Sequence, residues 1–286
     1  MYRTIEQKKR EEWRPLVMAL VFAVLLFLGA SVPQGAAMAT GRGALCLVSV
    51  GVGDPDLITL RAVDTIAKSD VIICREKTQE LFASYLKGKE ILDISRAGWR
   101  TYGKDCSAMR DVKARAKCEQ DTKSRGELIA DIRSAINAGK TVAVLGSGDL
   151  LLYGGPYRWY RKEFADLKPR LIPGVSCFNA ANAALGEDVA AGKEIRAVVL
   201  TTIREVEKVS QGHPTLVIFT MFTKFEDLVA KLRTLYPPKT PIAIVFYAGY
   251  KDKERVTRGT LDTILDEVRG KEFPFEHLVY VGDFLN

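Results

Sequence analysis

Leu47-Val-Ser-Val-Gly-Val-Gly-Asp-Pro-Asp-Leu-Ile-Thr-Leu-Arg-Ala62 runs from an apolar stretch through two glycines, an aspartate and a proline into a second apolar pattern. The run Leu45 to Val50 predicts a strand, and Ile58, Ala62 and Ile66 share one stripe of a helix expected over 57–68. Two later segments repeat the arrangement, with Gly146-Ser-Gly-Asp149 following Thr141 to Leu145 and Pro173-Gly-Val-Ser176 following Arg170 to Ile172. Glycine tolerates positive φ and lets a ligand approach the main chain, and ligands of open α/β sheets sit at the carboxyl ends of strands. The three segments therefore read as loops that grip a small cofactor by its backbone.

Working outward, Val71 to Cys74 and Ile91 to Ile94 extend the strand series. Leu128, Ile129, Ile132, Ala135 and Ile136 give a helix that Gly139 would cap. Between them, 97–126 breaks the rhythm and reads as a surface excursion. With Arg96 it holds nine basic residues and few apolar ones. Beyond Pro173 a small-residue helix, Ser176 to Leu185, follows. Strands are then expected at 197–201, 215–219, 241–246 and 277–281, with helices near 225–235 and 261–268. The alternation predicts α/β architecture with parallel or mixed sheets in two domains, 40–172 and 173–286.

Composition is that of a globular protein, 47% hydrophobic and 27% charged, so a sizeable core can be buried. The formal charge of +7 would suit nucleic acid, but five of the cations, Arg3, Lys8, Lys9, Arg10 and Arg14, lie in the first fourteen residues. No aromatic-basic interleaving or groove-reading helix appears, so nucleic acid is not an expected partner. Those cations precede an uncharged stretch, Leu16 to Val32, and then Gly35-Ala-Ala-Met-Ala39. Residues 1–39 thus read either as a cleaved secretory signal or as a membrane anchor, an N-terminal hydrophobic helix beside which Trp13 would sit at the interface. Both readings place the rest of the chain outside the cytoplasm, membrane-anchored or exported to a periplasm-like compartment.

Cys46, Cys74 and Cys177 fall in or beside apolar runs and read as small core residues. Cys106 and Cys118 lie in the charged stretch and would be exposed thiols if unpaired; in an oxidising compartment they could close a disulfide. No cysteine spacing resembles a zinc site, and His213 and His277 are far apart, so no metal is expected.

Each segment also has a simpler structural reading. The first could be only a tight strand-to-helix turn with Pro55 fixing φ and Asp56 offsetting the helix dipole. It lacks the spacing of a dinucleotide fingerprint and the lysine of a nucleoside-triphosphate loop. Gly146 to Gly155 has four glycines and an aspartate in ten residues, a poor core and a good backbone cradle. Ser176 could cap its helix or meet a carboxylate there.

Taken in order, the segments resemble the tetrapyrrole (corrin and porphyrin) methylase family of S-adenosylmethionine-dependent methyltransferases. Leu47 to Ala62 followed by Ala67-Lys-Ser-Asp-Val-Ile-Ile73 is similar to the family's opening. Ser147-Gly-Asp-Leu-Leu-Leu-Tyr-Gly154 is similar to its G-G-D-P-x-x-[FY]-G loop, and Pro173 to Ala184 to its P-G-[IV]-S segment and alanine-rich helix. Weaker echoes are Thr215 to Met221, Gly259-Thr-Leu261 and Val279-Tyr-Val-Gly282, so the likeness runs from about Ala44 to the C-terminus.

The resemblance implies a two-domain α/β fold with S-adenosyl-L-methionine in the cleft between domains. By motif position Gly53, Gly146, Gly148, Asp149, Leu152, Tyr153, Ser176, Cys177, Met221 and Phe222 would bind the cofactor, and Arg75 and Glu76 would face substrate. No residue is assigned to catalysis, because methyl transfer depends largely on alignment of nucleophile and sulfonium. The implied partner is a small molecule, a tetrapyrrole or a relative, and homodimers are common in the family.

Departures gather on the substrate side. Leu150 replaces the proline after Gly-Asp, Ser147 opens that loop, Cys74-Arg75-Glu76 follows the second strand, and Gly186 to Lys193 replaces a G-[IV]-P run. The basic stretch could steer a polycarboxylated macrocycle onto Trp99 and Tyr102, or be a solvated charged helix. Three functions stay open: a methyltransferase, a non-catalytic extracytoplasmic tetrapyrrole binder, and an interaction protein that keeps only the scaffold.

Overall fold

The computed structural model describes residues 43–192, 196–221, 224–271 and 273–285. Segment 1–39, with its expected hydrophobic helix, lies outside the described residues. Among the described residues no helix is long and apolar enough to cross a membrane.

The first sheet holds β1 (Leu45–Ser49), β2 (Val71–Cys74), β3 (Glu90–Asp93), β4 (Val142–Gly146) and β5 (Arg170–Ile172) in the order β3-β2-β4-β1-β5. Every pairing is parallel. The central strands β1, β2 and β4 are buried on both faces, as a parallel sheet requires. Alternate residues divide between two cores. Leu45, Leu47, Val71, Ile73, Val142 and Val144 meet Leu128, Ile132 and Trp159 on one face. Cys46, Val48, Ile72, Cys74, Ala143 and Leu145 meet Ala62, Ile66, Phe82 and Leu86 on the other. Each fully buried Leu or Ile contributes about 1.5–3 kcal/mol. Helix α1 (Leu60–Ala67) starts at Thr59, whose Oγ1 accepts from the Ala62 N–H at 3.2 Å, so the expected helix begins three residues late, after a 3-10 turn at Pro55–Leu57.

The expected surface excursion is corrected. Helix α2 runs unbroken over Val112–Asn137, capped by Asp111, and absorbs the stretch that broke the pattern. Its buried row is Cys118, Asp121, Arg125, Leu128, Ile132 and Ile136, a spacing of three or four whose first half is polar and therefore hidden from an apolar count. Arg125 donates through Nη1 to the Gly98 carbonyl at 2.8 Å and lies over the Tyr102 ring. Asp121 accepts from Lys117 and from Thr101. Cys106 and Cys118 are joined in a disulfide with Cα atoms 5.6 Å apart, tying the preceding loop to α2, and Cys118 is buried.

The second sheet holds β6 (Val198–Thr202), β7 (Thr215–Phe219), β8 (Pro241–Phe246), β9 (Arg255–Thr260) and β10 (His277–Val281) in the order β6-β7-β10-β8-β9. Only β6 and β7 pair in parallel; β10 runs antiparallel between β7 and β8. Edge strand β9 was not anticipated, because Arg255-Val-Thr-Arg-Gly-Thr260 is polar and partly exposed. One face packs on α5 (Phe225–Arg233) through Leu228, Val229 and Leu232. The other, with Val217, Phe219, Ala243, Val245 and Tyr280, packs on α4 (Cys177–Leu185) and on Val52, Leu57 and Leu152 from the first half. Helix α3 (Arg158–Glu163) sits between α2 and α4 in the chain.

Candidate functional site

The three glycine segments, at Gly51 to Pro55, Gly146 to Asp149 and Pro173 to Ser176, interlock. The Val50 N–H donates to the Gly146 carbonyl at 2.9 Å, Gly148 N–H to the Gly51 carbonyl at 2.7 Å, and Val52 N–H to the Val175 carbonyl at 3.1 Å. A Cβ on Gly174 would stand 2.7 Å from Ser49 and 2.9 Å from the Gly148 carbonyl oxygen, so only glycine lets the segments close. Leu150, where the family pattern has proline, donates its N–H to Ser49 Oγ at 3.1 Å, a bond no proline can make. The loop keeps its turn by that substitute.

Gly53 joins the halves. Its φ is +77°, and a Cβ there would collide with the Gly249 backbone. Beside it Asp54 N–H donates to the Gly249 carbonyl at 2.9 Å, Lys251 N–H donates to Asp54 Oδ2 at 3.0 Å, and Lys251 Nζ pairs with Asp56 at 2.6 Å. Lys77 and Glu276 add a second ion pair, 199 residues apart in sequence, at 2.9 Å.

Between the sheets lies a cavity of about 240 Å³ lined by Gly148, Cys177, Met221 and His277, with Val245 and Tyr250 among its other walls. Gly148 has φ +71° and open space where a Cβ would stand, so its bare backbone faces outward beside the cavity. The Cys177 thiol is pushed up by burial. His277 is held in one tautomer: Nδ1–H donates to the Pro274 carbonyl at 2.6 Å, which leaves Nε2 to accept from the Thr220 hydroxyl at 2.9 Å. Burial pulls its pKa below the ordinary histidine value, against a smaller upward pull from the Pro274 bond, so the imidazole is neutral near pH 7. Burial is the largest single influence on Glu276 and pushes its pKa up, but the Lys77 bond, its own backbone N–H and the Lys77 and Lys253 charges together hold it below its usual range.

Across the Gly146–Gly155 loop lies a second cavity of about 260 Å³, lined by Ser49, Asp149, Tyr153, Tyr157 and the β5 end at Leu171 to Pro173. Tyr153 has φ +56°; its hydroxyl donates to the Leu200 carbonyl at 3.2 Å and its ring packs 4.4 Å from Phe219.

The expected cofactor residues thus separate. Gly148, Cys177 and Met221 share the inter-sheet cavity, while Asp149 and Tyr153 face the other. Gly53 and Gly146 line neither: Gly53 is the seam, and a Cβ on Gly146 would strike Leu150 and the Tyr157 ring. Leu152 packs on the second sheet. Ser176 caps α4, accepting from the Asn179 N–H at 3.3 Å and donating to Asn179 Oδ1 at 2.7 Å. Phe222 lies outside the described residues. Arg75 and Glu76 are exposed at the end of β2 and line neither cavity. Sequence reasoning missed Thr220, Tyr250, Glu276 and His277, which come from segments without glycine motifs; the apolar runs ending at Phe219 and beginning at His277 were the available signal.

Residues 44–265 match the family described as Tetrapyrrole (Corrin/Porphyrin) Methylases. The chain belongs to that family. The Methanocaldococcus jannaschii cobalt-precorrin-4 C(11)-methyltransferase is 28% identical over 255 residues, 84% of this chain and 87% of the relative. The uroporphyrinogen-III C-methyltransferase of the same organism is 25% identical over 257 residues, 85% and 97% of the two chains. Among solved structures, a cobalt precorrin-4 methyltransferase superposes with a TM-score of 0.66 at 20% identity, covering 85% of this chain and 96% of its own. A Thermus thermophilus uroporphyrin-III C-methyltransferase complexed with S-adenosyl homocysteine gives 0.60 at 18%, covering 85% and 99%. At those identities the structures speak for the fold alone; the family match covers the glycine segments from which the cavities are built.

Proposed function

We propose that this member of the tetrapyrrole methylases transfers the methyl group of S-adenosyl-L-methionine to a tetrapyrrole. It is an S-adenosylmethionine-dependent methyltransferase by family and by its curated relatives. The acceptor is the step we add. One observation carries the reading: the glycine segments interlock only as glycines and leave Gly148, Cys177 and Met221 on one inter-sheet cavity. The donor, when bound, supplies an electrophilic methyl on a sulfonium. The chain's own task is to hold and orient. The bare Gly148 backbone lets a ligand approach without a side chain in the way, while Val245, Ala248 and Phe219 exclude water. Neutral His277 adds no positive charge beside a cationic sulfonium.

We also propose that the chain works outside the cytoplasm, with 40–172 and 173–286 as its two lobes. The basic flank before Leu16 and the Cys106–Cys118 disulfide support export, since such bonds persist in oxidising compartments. Calorimetric titration of the full chain with S-adenosylmethionine is expected to show saturable binding; no heat at millimolar cofactor would refute the methyltransferase reading. Tetrapyrrole binding without cofactor binding would favour the non-catalytic binder instead.

A further inference from the structure

The second cavity is lined by four leucines, an isoleucine, two tyrosines and a proline, yet two guanidiniums, Arg158 and Arg161, stand on its rim with no carboxylate partner among the described residues. Both are exposed on α3, a few residues past the glycine loop. Tyr157 lies between them and the sheet: its hydroxyl donates to the Leu145 carbonyl at 3.3 Å, and burial raises its pKa against a smaller downward pull from the nearby Arg75 guanidinium. Arg75 therefore adds a third cation to this end of the sheet. On the same side the exposed indole of Trp99 reaches to 4.0 Å from where a Gly155 Cβ would stand. The lining includes one opposing charge, Asp149, whose Oδ1 is engaged by the Leu151 N–H at 2.8 Å.

An apolar cavity with unpaired guanidiniums at its mouth and a flat aromatic beside it suits an apolar ring that carries carboxylates. It shares the Gly146–Gly155 loop with the inter-sheet cavity, and Tyr153 on this side touches Phe219, which lines the other. We infer that Arg158 and Arg161 take a side-chain carboxylate of the macrocyclic acceptor, anchoring the ring across the loop from the methyl donor. This rests on the tetrapyrrole reading above. It gives the substrate class a specific mark, since an esterified or carboxylate-poor ring would lose the anchor.

The test uses the full chain and uroporphyrin, a stable ring with eight carboxylates on its periphery, followed by fluorescence. Wild type is expected to bind it, R158Q/R161Q to bind at least tenfold more weakly, and R158K/R161K to recover part of the loss. Binding by wild type should weaken with salt more steeply than binding by the glutamine variant. S-adenosylmethionine affinity and melting temperature should be unchanged in all three proteins, which separates lost contact from lost folding. Equal uroporphyrin affinity in wild type and R158Q/R161Q would overturn the arginine anchor while leaving the acceptor class standing. No uroporphyrin binding by a wild type that binds the cofactor would overturn the acceptor class, and the anchor with it.

Discussion

Gly53 and Gly148 share nearly the same backbone, φ +77° and +71°, but stand in opposite surroundings, so alanine at each separates stability from binding. At Gly53 the added methyl meets the Gly249 backbone. A left-handed conformation costs an L-residue about 1–2 kcal/mol, and forcing atoms into a packed seam costs about 1–3 kcal/mol more. A smaller gain from the stiffer unfolded chain offsets part of this, about 0.4–1 kcal/mol. Gly53→Ala should therefore lose about 2–4 kcal/mol, a fall in melting temperature of very roughly 4–16 °C for a chain of this size. At Gly148 nothing lies within 4 Å of the new methyl, so only the left-handed cost applies, about 1 kcal/mol net. That methyl stands beside the inter-sheet cavity, where we propose that the cofactor binds, so S-adenosylmethionine affinity should fall about tenfold. Urea melts and calorimetry on both variants decide it. Equal destabilisation by the two substitutions, or a Gly148→Ala protein with wild-type affinity, would refute the division of labour.

Four further outcomes follow from polar groups and the disulfide. Because burial lowers the His277 pKa, the folded protein resists protonation that the unfolded chain accepts; stability should be level above about pH 6.5 and decline below it, by at most about 1.4 kcal/mol per pH unit. His277→Gln should flatten that slope in urea melts at pH 5 and 7.5. Reducing the Cys106–Cys118 bond, which closes a loop with a separation of 12 residues, should cost about 3 kcal/mol, read from melts with and without reductant. Arg125→Leu strands the Gly98 carbonyl and should cost about 2–3 kcal/mol, whereas Lys77→Ala, whose ion pair is well exposed, should cost under about 1 kcal/mol.

The framework was legible where apolar runs were continuous. Val71–Cys74, Thr215–Phe219, Pro241–Phe246 and His277–Val281 stand where the residues placed them, because strands buried on both faces read as near-continuous apolar runs, with polar Thr215 and His277 only at strand starts. The same logic failed where burial is polar. In α2 the buried row begins Cys118, Asp121, Arg125, and these are kept inside by a disulfide, by Thr101 and by backbone carbonyls that no periodicity reveals. Edge strand β9 pairs with β8 over Arg255 to Thr260, a stretch of arginine, threonine and glycine with one valine. In the site, motif order located the backbone cradle but not its division. Whether Asp149 faces the same cavity as Gly148 depends on the loop's turn between them, which is set by Leu150 N–H meeting Ser49 a hundred residues earlier in the chain.

Backbone strain at the site has a source in the second sheet. Among the described residues five besides glycine have positive φ: Tyr153, Lys168, His213, Met221 and Tyr247. Met221 and Tyr153 line the two cavities, and the Tyr247 N–H donates at 2.9 Å to the carbonyl of Glu276, whose residue lines the inter-sheet cavity. Each such residue costs on the order of 1–3 kcal/mol and persists only where its surroundings over-determine it. For Tyr153 those surroundings are the Leu200 carbonyl of β6 and the Phe219 ring of β7. The loop that borders both cavities is a product of the first sheet in sequence but is held in its strained form by the second. Ligand affinity at this loop therefore depends on how the sheets are docked as well as on the residues that line the cavities. The glycine seam at Gly53 and Gly249, flanked by the Val52, Ala248 and Tyr250 walls of the inter-sheet cavity, is one of the contacts that fix that docking.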